Sequence, residues 1–269
     1  MSASISRRAF IQWMPDKAAE PTSTVVLTSP QNRFVDIRLL RTGPNSQGHG
    51  NERPSSQLDG AIQLKHVDWA FAGTSASTWH EVNKTQQMSH DEIEQYRPFA
   101  CTAIAEQSQE TIAGKVQHTI WTHTIDSRFL DADRVQDEGD MIPMPSLGLT
   151  LERGNMCNPA TGQATDYVEG WIDDAVESTD YAVLELSGEA RGLFIKLGSW
   201  MQGVARAGDN FALQRWHQTD GAWSLQATLG NIDFPSNAAS SSRLRVGDNV
   251  TAGNGNEHWT WTVIESGNA

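Results

Sequence analysis

The sequence has few of the features that mark secreted, membrane-spanning or zinc-binding proteins. It holds two cysteines in 269 residues, and neither Cys101 nor Cys157 has a second Cys or a His at ligand spacing. No apolar run approaches the ~18 residues of a spanning helix, and Met1–Arg8 lacks the apolar stretch of a secretory signal. We therefore expect a cytoplasmic protein with reduced thiols.

Basic residues are scarce as well. Lys and Arg number 20 against 33 Asp and Glu, which gives a net charge of −13 at pH 7. Both halves of the chain are acidic and no cluster of Lys or Arg interrupts them, so phosphate backbones and anionic membrane surfaces would be repelled. The charge predicts that neither nucleic acid nor membrane is a partner.

Signatures of cofactor and metal chemistry are also missing. The sequence has no Gly-x-Ser-x-Gly elbow, no phosphate-binding loop ending in Gly-Lys-Ser/Thr, and no Gly-x-Gly-x-x-Gly after a strand. His118 and His123 are five positions apart, and such positions on a strand point to opposite faces, so they are not expected to share an ion. We predict no cofactor and no metal, so that an enzyme of this sequence would work by positioning and acid–base contacts.

What the sequence does have is an alternation of apolar and polar residues with a period of two. Val67, Trp69 and Phe71 share one face of such a segment, and the segments are separated by Gly, Asn, Asp, Pro and Ser. Alternation of this kind predicts strands with one face turned to a core or a lumen. A helix is predicted only within Ser89–Gln109, ending before Pro98. The fold class predicted is therefore all-β, a sandwich or a barrel.

Three apolar segments recur in register about 158 residues further along the chain, which indicates an internal duplication. The paired segments are Ile11–Met14 with Glu169–Ile172, Val25–Thr28 with Ala182–Glu185, and Asp36–Leu39 with Phe194–Leu197. The duplication predicts two domains, an N-terminal β-barrel over residues 8–145 and a C-terminal β-barrel over 146–269. Thr42–Gly60 is predicted to be a long loop within the first.

Three short stretches carry a resemblance to a known family. They are Asp68–Gly73 (DWAFAG), Gly198–Gly203 (GSWMQG) and Trp261–Glu265 (WTVIE). Together they resemble the fungal family of Hrr-interacting proteins, named for association with a casein-kinase-1-type kinase. The resemblance implies two tandem antiparallel calycin-like (lipocalin-like) barrels and, as a partner, a kinase. Some proteins of fungal biosynthetic clusters are similar to this family and catalyse cofactor-free cyclisations, such as the hetero-Diels–Alder step of tropolonic sesquiterpenoid pathways.

The candidate site residues come from the apolar faces of the predicted strands. The ligand-binding candidates are five aromatic residues and one cation: Trp69, Phe71, Trp200, Trp223, Trp261 and Lys196. The alternative for the rings is a filled barrel core, and for Lys196 a surface charge with a buried stem. An aromatic-walled cavity would suit a flat, apolar substrate.

The catalytic candidates are Gln202, His118 and Arg215, each on a strand face that also carries apolar residues. Any of them could polarise a carbonyl or assist the loss of water. The alternatives are a satisfied core histidine and a surface arginine. The leading hypothesis is a cofactor-independent cyclase that holds an apolar polycyclic substrate in a dry barrel pocket. The alternatives are a non-catalytic kinase-binding protein and a small-molecule carrier.

Overall fold

The computed structural model describes residues 3–41, 60–81, 86–87, 90–101, 111–112, 115–176, 180–241, 243–253 and 258–268. The predicted loop Thr42–Gly60, apart from Gly60 itself, lies outside these ranges. The predicted helix is present as α1, which begins at His90 and ends at Tyr96, two residues before Pro98. Within the described ranges, no helix has both the length and the apolar character needed to cross a membrane.

The alternating segments of the sequence form strands almost throughout. The strands are β1 (Ser4–Trp13), β2 (Thr22–Thr28), β3 (Arg33–Leu40), β4 (Val67–Glu81), β5 (Gln86–Gln87), β6 (Thr111–Ile112), β7 (Lys115–Asp126), β8 (Asp137–Met144), β9 (Leu149–Cys157), β10 (Ala164–Asp174), β11 (Asp180–Leu186), β12 (Arg191–Leu197), β13 (Trp200–Ala207), β14 (Asn210–Thr219), β15 (Ala222–Leu229), β16 (Asn249–Ala252) and β17 (Trp259–Asn268). The helices are α1 (His90–Tyr96) and α2 (Ser236–Ser241), with 3-10 turns at Leu64–His66, Arg97–Phe99 and Ala132–Arg134.

Eight of the strands close into a barrel in the order β1-β2-β3-β4-β7-β8-β9-β10, with β10 paired back to β1. Every neighbouring pair is antiparallel. Seven further strands form a curled half-barrel in the order β15-β14-β13-β12-β11-β17-β16. The predicted fold class, all-β with two tandem antiparallel calycin-like barrels, is confirmed, although the second barrel is only half closed.

The division of the chain between the two barrels differs from the predicted boundary at residues 145 and 146. That boundary falls between β8 and β9, and both β9 and β10 belong to the first barrel. The repeat matched Glu169–Ile172 with Ile11–Met14, but Glu169 is the direct cross-strand partner of Ile11. Because β10 is used to close the first barrel, the second unit starts at β11, and its C-terminal strand β17 pairs with β11 as β1 pairs with β2.

The half-barrel packs one face against the outside of the first barrel and the other around its own core. The shared interface is apolar and joins the outer faces of β2 and β3 to β12, β13 and β14. Its residues include Val25, Leu27, Val35, Ile37, Leu193, Ile195, Trp200 and Leu213. The opposite face packs Trp261 against Phe194 and Phe234. The part of the first barrel's outer wall that faces the half-barrel is therefore buried like an ordinary core.

Two predicted catalytic residues, Gln202 and Arg215, lie buried in this interface. The Gln202 side-chain amide donates to the backbone carbonyls of Val25 at 2.8 Å and Val35 at 2.6 Å. Arg215 donates to the side-chain oxygen of Gln202 at 3.2 Å and to backbone carbonyls of β2 and β3. Burial lowers the pKa of Arg215 to about 10. Both side chains join the half-barrel to the barrel, and neither lines the lumen of the first barrel.

Replacing Gln202 with Ala should lower the free energy of unfolding by ~2 kcal/mol, because it removes two buried hydrogen bonds and leaves Arg215 short of an acceptor. Urea unfolding followed by tryptophan fluorescence measures the change. Gln163→Ala, on an exposed loop, is the matched control and should change stability by less than about 0.5 kcal/mol. Equal stability of the two variants would contradict this role for Gln202.

Candidate functional site

A cavity of about 590 Å³ occupies the lumen of the first barrel, and all eight of its strands contribute to the lining. This volume lies within the ~300–1,000 Å³ range of small-molecule sites. Trp79, near the end of β4, is 63% exposed, whereas Phe71 on the same strand is 2% exposed. This difference indicates that the cavity is open to solvent at the Trp79 end. The lumen is therefore a cup with an open mouth and a closed floor.

Aromatic rings and hydroxyls alternate around the wall of this cup. The aromatic residues that line it are Phe34, Phe71, Trp79, Trp121 and Trp171. The hydroxyl-bearing residues are Ser4, Ser6, Thr28, Ser75, Ser77, Thr119 and Thr150. Rings supply flat contact surfaces and hydroxyls supply both donors and acceptors, so the wall suits a ligand that combines a ring with polar groups.

A buried network of paired charges forms the floor. Glu169 Oε1 accepts hydrogen bonds from Arg8 Nη1 at 2.5 Å and from Arg38 Nη1 at 3.0 Å. Arg8 also pairs with Glu20 at 2.8 Å, and Arg38 with Asp36 at 2.9 Å. Burial alone would lower the pKa of each arginine, but the surrounding carboxylates outweigh it and raise both pKa values. The two guanidiniums therefore stay charged and fully engaged.

Asp36 lies at the junction of floor and cavity. Its Oδ2 accepts a hydrogen bond from Arg38 Nε at 2.9 Å, whereas its buried Oδ1 has no hydrogen-bond partner in the described part of the chain. Burial raises the pKa of Asp36, against the opposing effect of Arg38. A buried oxygen without a donor is costly, so this position can accept a donor from a bound molecule.

Glu152 of β9 lines the cavity from the opposite wall. Its two oxygens accept hydrogen bonds from Tyr167 Oη at 2.7 Å and from Trp171 Nε1 at 2.9 Å. Burial, together with the negative charges of Glu169 and Asp137, raises the pKa of Glu152 to about 8. Glu152 therefore holds a proton at neutral pH, and its carboxyl group can act as an acid.

Two glycines make room for Glu152 and its partner. A Cβ at Gly154 would lie 2.5 Å from Tyr167 Oη, and one at Gly139 would lie 2.9 Å from Glu152 Cγ. Cβ atoms do not approach other heavy atoms this closely, so any larger residue would displace the Tyr167–Glu152 pair. The two glycines therefore leave the space in which Tyr167 holds the Glu152 carboxyl group in place.

A further carboxyl group in the lumen, that of Asp137, contacts a buried histidine. His123 lies 3.2 Å from Asp137 through Nε2 and 2.8 Å from Asp126 through Nδ1, and its ring stacks on Phe71 at 4.2 Å between centroids. Burial would lower the pKa of His123, but the hydrogen bonds to the two carboxylates outweigh it and raise the pKa. The Asp126–His123–Asp137 chain can stabilise a charge change at the cavity surface.

Of the predicted site residues, the structure brings two to the lumen. Phe71 lines the cavity, and Trp69 packs beside it, with ring centroids 4.4 Å apart and its indole N–H donated to Asp126 at 3.0 Å. His118, by contrast, lies on the outside of β7 with Nδ1 2.9 Å from Asp140. His118 therefore does not lie in the pocket as predicted. The face of β7 that turns to the lumen is the polar and aromatic one, and His118 lies on the opposite face.

The remaining candidates belong to the half-barrel and do not reach the lumen. Trp200 is buried in the interface against the ring of His217, at 4.1 Å between centroids. Trp223 and Trp261 belong to the core around the other face of the half-barrel. Lys196 lies 3.5 Å from Asp180. Together with Gln202 and Arg215, these residues are not brought together in one cavity, because the apolar faces of their strands pack against other apolar faces.

The cavity residues missed from the sequence include Asp36, Trp79, Trp121, Asp137, Glu152 and Trp171. A signal for some of them was present. Ser75, Ser77 and Trp79 alternate on β4, and Gln117, Thr119 and Trp121 alternate on β7, each forming a polar face that ends in an aromatic ring. Such a face is typical of a polar, ring-lined lumen. No group of three or more His, Cys, Asp or Glu among the described residues is arranged to hold a metal ion.

The raised pKa of Glu152 predicts how stability depends on pH. Because the folded protein keeps the Glu152 proton up to about pH 8 whereas the unfolded chain releases it near pH 4.5, unfolding releases a proton between these values. Stability therefore falls as pH rises through that window, with a slope of up to about 1.4 kcal/mol per pH unit. Glu152→Gln should remove this part of the slope, so that its stability relative to the parent protein increases from pH 5 to pH 8.

Urea unfolding at several pH values checks this expectation. Glu138→Gln is the matched control, because the Glu138 side chain is 60% exposed, and this variant should keep the parent slope. A Glu152→Gln variant whose stability runs parallel to that of the parent protein from pH 5 to pH 8 would rule out a protonated Glu152.

Comparison with known proteins places the chain in a family. The model of the family described as protein HRI1 matches residues 4–265. A solved structure of the uncharacterized protein YLR301w from Saccharomyces cerevisiae is similar in fold, with a TM-score of 0.62 and 16% sequence identity over 99% of this chain and 100% of that chain. No curated protein matches the sequence. Because the family model covers almost the whole sequence, the chain belongs to the HRI1 family.

Proposed function

We propose that the first barrel binds a small aromatic molecule in its lumen. The observation that carries the proposal is the 590 Å³ cavity itself, which is open at one end and lined by five aromatic rings together with hydroxyl and carboxyl groups. Cavities that combine apolar walls with a few placed polar groups are the usual form of small-molecule sites. Three of the five rings are tryptophans, so occupancy should change the fluorescence of the protein.

A large side chain introduced on the cavity wall tests the binding function, because it fills space that the ligand would occupy. Ser77→Phe places a ring in the lumen and should weaken the binding of the neutral fluorescent probe N-phenyl-1-naphthylamine at least tenfold, as measured by fluorescence titration. Ser224→Phe makes the same change at an exposed position of the half-barrel and should leave the affinity unchanged. Absence of probe binding to the parent protein, or equal loss in the two variants, would refute a lumenal site.

A second function, cofactor-independent cyclisation, is favoured by the protonated carboxyl group of Glu152. Glu152 would donate its proton to a hydroxyl group of the substrate, the C–O bond would break and water would leave. Asp137, supported by His123, would accept a proton from the substrate, which leaves a neutral conjugated diene. Addition of an alkene then forms two bonds without further proton or electron transfer, and solvent returns the proton from Asp137 to Glu152. The barrel would contribute positioning and exclusion of water.

This arrangement replaces the catalytic roles first predicted for Gln202, His118 and Arg215. The two carboxyl groups proposed to act as acid and base face the same lumen from the adjacent strands β8 and β9.

Kinase binding, the other function implied by the family resemblance, stays a prediction. It is tested by whether a casein-kinase-1-type kinase binds to the purified protein.

Conversion of a hydroxymethyl tropolone and an alkene partner to the cyclised adduct measures the proposed reaction. Glu152→Gln should reduce turnover by about 10²–10⁴-fold, the usual contribution of a positioned acid, while binding of the naphthyl probe is retained. Asp140→Asn, which removes an exposed carboxylate outside the same barrel, should keep full turnover. Turnover by Glu152→Gln at the parent rate would exclude Glu152 as the acid.

A further inference from the structure

The ionisable groups that line the lumen are strongly unbalanced in charge. Four carboxyl groups face the cavity, from Asp36, Asp137, Glu152 and Asp173, and even without the protonated Glu152 three of them meet a single guanidinium, that of Arg38. An anionic ligand would approach this surface against its charge, and a cationic one would be attracted.

The cations near the floor do not offset this excess. Arg38 is paired with Asp36 and Glu169, and Arg8 is paired with Glu20 and Glu169. Three carboxylates thus already surround two guanidiniums. His123 lies between Asp126 and Asp137, so even its protonated ring faces two negative charges. Every described cation of the lumen is engaged, while carboxyl groups remain to be neutralised.

The unpaired carboxyl oxygen of Asp36 indicates independently that a hydrogen-bond donor is missing from the site. The residue is 3% exposed and lines the cavity, and its Oδ1 is without a partner among the residues the structure describes. Oδ2 of the same carboxyl group is bonded to Arg38, so the group is already held in one orientation. An ammonium group carries three donors and a charge of the right sign for this oxygen.

The rings of the lumen already accept a cation from the protein itself. The Arg38 guanidinium lies 5.2 Å from the centroid of Trp69 and 5.4 Å from that of Phe71. Trp121 and Trp171 also line the cavity. Aromatic faces attract cations, more strongly where water is excluded, so rings and carboxyl groups favour the same kind of ligand.

We propose that the lumen is selective for an aromatic amine, a ligand that carries a protonated amino group beside a flat ring. The proposal rests on the lumenal binding function and narrows its ligand class. The ring would stack among the tryptophans near the mouth, and the ammonium group would reach the carboxyl groups of Asp36 and Asp137.

Three ligands with the same ring and different charges test this selectivity by titration calorimetry at pH 7. Tryptamine is cationic, tryptophol is neutral and indole-3-acetate is anionic. Tryptamine should bind at least tenfold more tightly than tryptophol, and indole-3-acetate should bind most weakly. Asp36→Asn should reduce the preference for tryptamine over tryptophol to less than threefold.

Asp137→Asn is a second variant, because Asp36 also pairs with Arg38 and its replacement could disturb folding. It should reduce the same preference without weakening tryptophol binding. Asp140→Asn removes the same charge from the outside of β8 and should leave the preference intact.

Equal affinity for the three indoles, tighter binding of the carboxylate, or an unchanged preference in both lumenal variants would overturn the selectivity. Absence of binding by all three indoles would overturn it as well. The binding function itself fails only if the neutral naphthyl probe also does not bind, so the two failures are distinguishable.

Discussion

The rest of the first barrel depends on the shared carboxylate of Glu169. This group of β10 bridges Arg8 of β1 and Arg38 of β3 across the lumen. Two guanidiniums cannot be buried without compensation, since an unpaired buried charge costs several kcal/mol, roughly 3–5 when one partner is removed. Glu20 and Asp36 take up remaining donors, and the network closes one end of the lumen. The cavity is confined to the other end as a result.

A lumen lined by charged and polar side chains reverses the usual arrangement of polar and apolar faces. Its outer wall is buried, on one side by the half-barrel and on another by α1, whose Tyr96 stacks on Phe10 at 4.6 Å. The inside carries serines, threonines, carboxyl groups and tryptophans. Most of the barrel's buried aliphatic residues therefore lie on its outer surface, which leaves the interior free for a polar, ring-lined site.

This reversed arrangement explains which parts of the structure could be predicted from the sequence. Period-two alternation was enough to predict an all-β fold, because it follows from the geometry of strands alone. It could not tell which face turns to the lumen, since an apolar face indicates burial and not the direction of burial. Phe71 lines the lumen and Trp69 packs beside it because their face of β4 is both apolar and lumenal. His118 and Trp200 were misplaced because they lie on outer or interface positions of strands whose apolar residues suggested the interior.

The boundary between the two barrels could not be placed from the sequence for a similar reason. The segments of β2 and β3 do recur as β11 and β12, but sequence similarity could not show that β10 pairs with β1. Strand partners separated by about 160 residues are set by closure of the whole barrel. The carboxyl groups of the site were missed for the same reason, because the raised pKa of Glu152 comes from burial in the closed barrel together with the charges of Glu169 and Asp137, which other strands bring beside it.

Placement of the site in the lumen of the first barrel is the central claim, and 19F NMR of the protein labelled with 5-fluorotryptophan tests it most directly. The ten tryptophans are divided between the two barrels, so each resonance, assigned by Trp→Phe substitution, reports on one place. Titration with N-phenyl-1-naphthylamine should shift the signals of Trp79, Trp121 and Trp171 and leave those of Trp223 and Trp261 unchanged. Shifts confined to Trp223 and Trp261 would place the ligand in the half-barrel and contradict the claim.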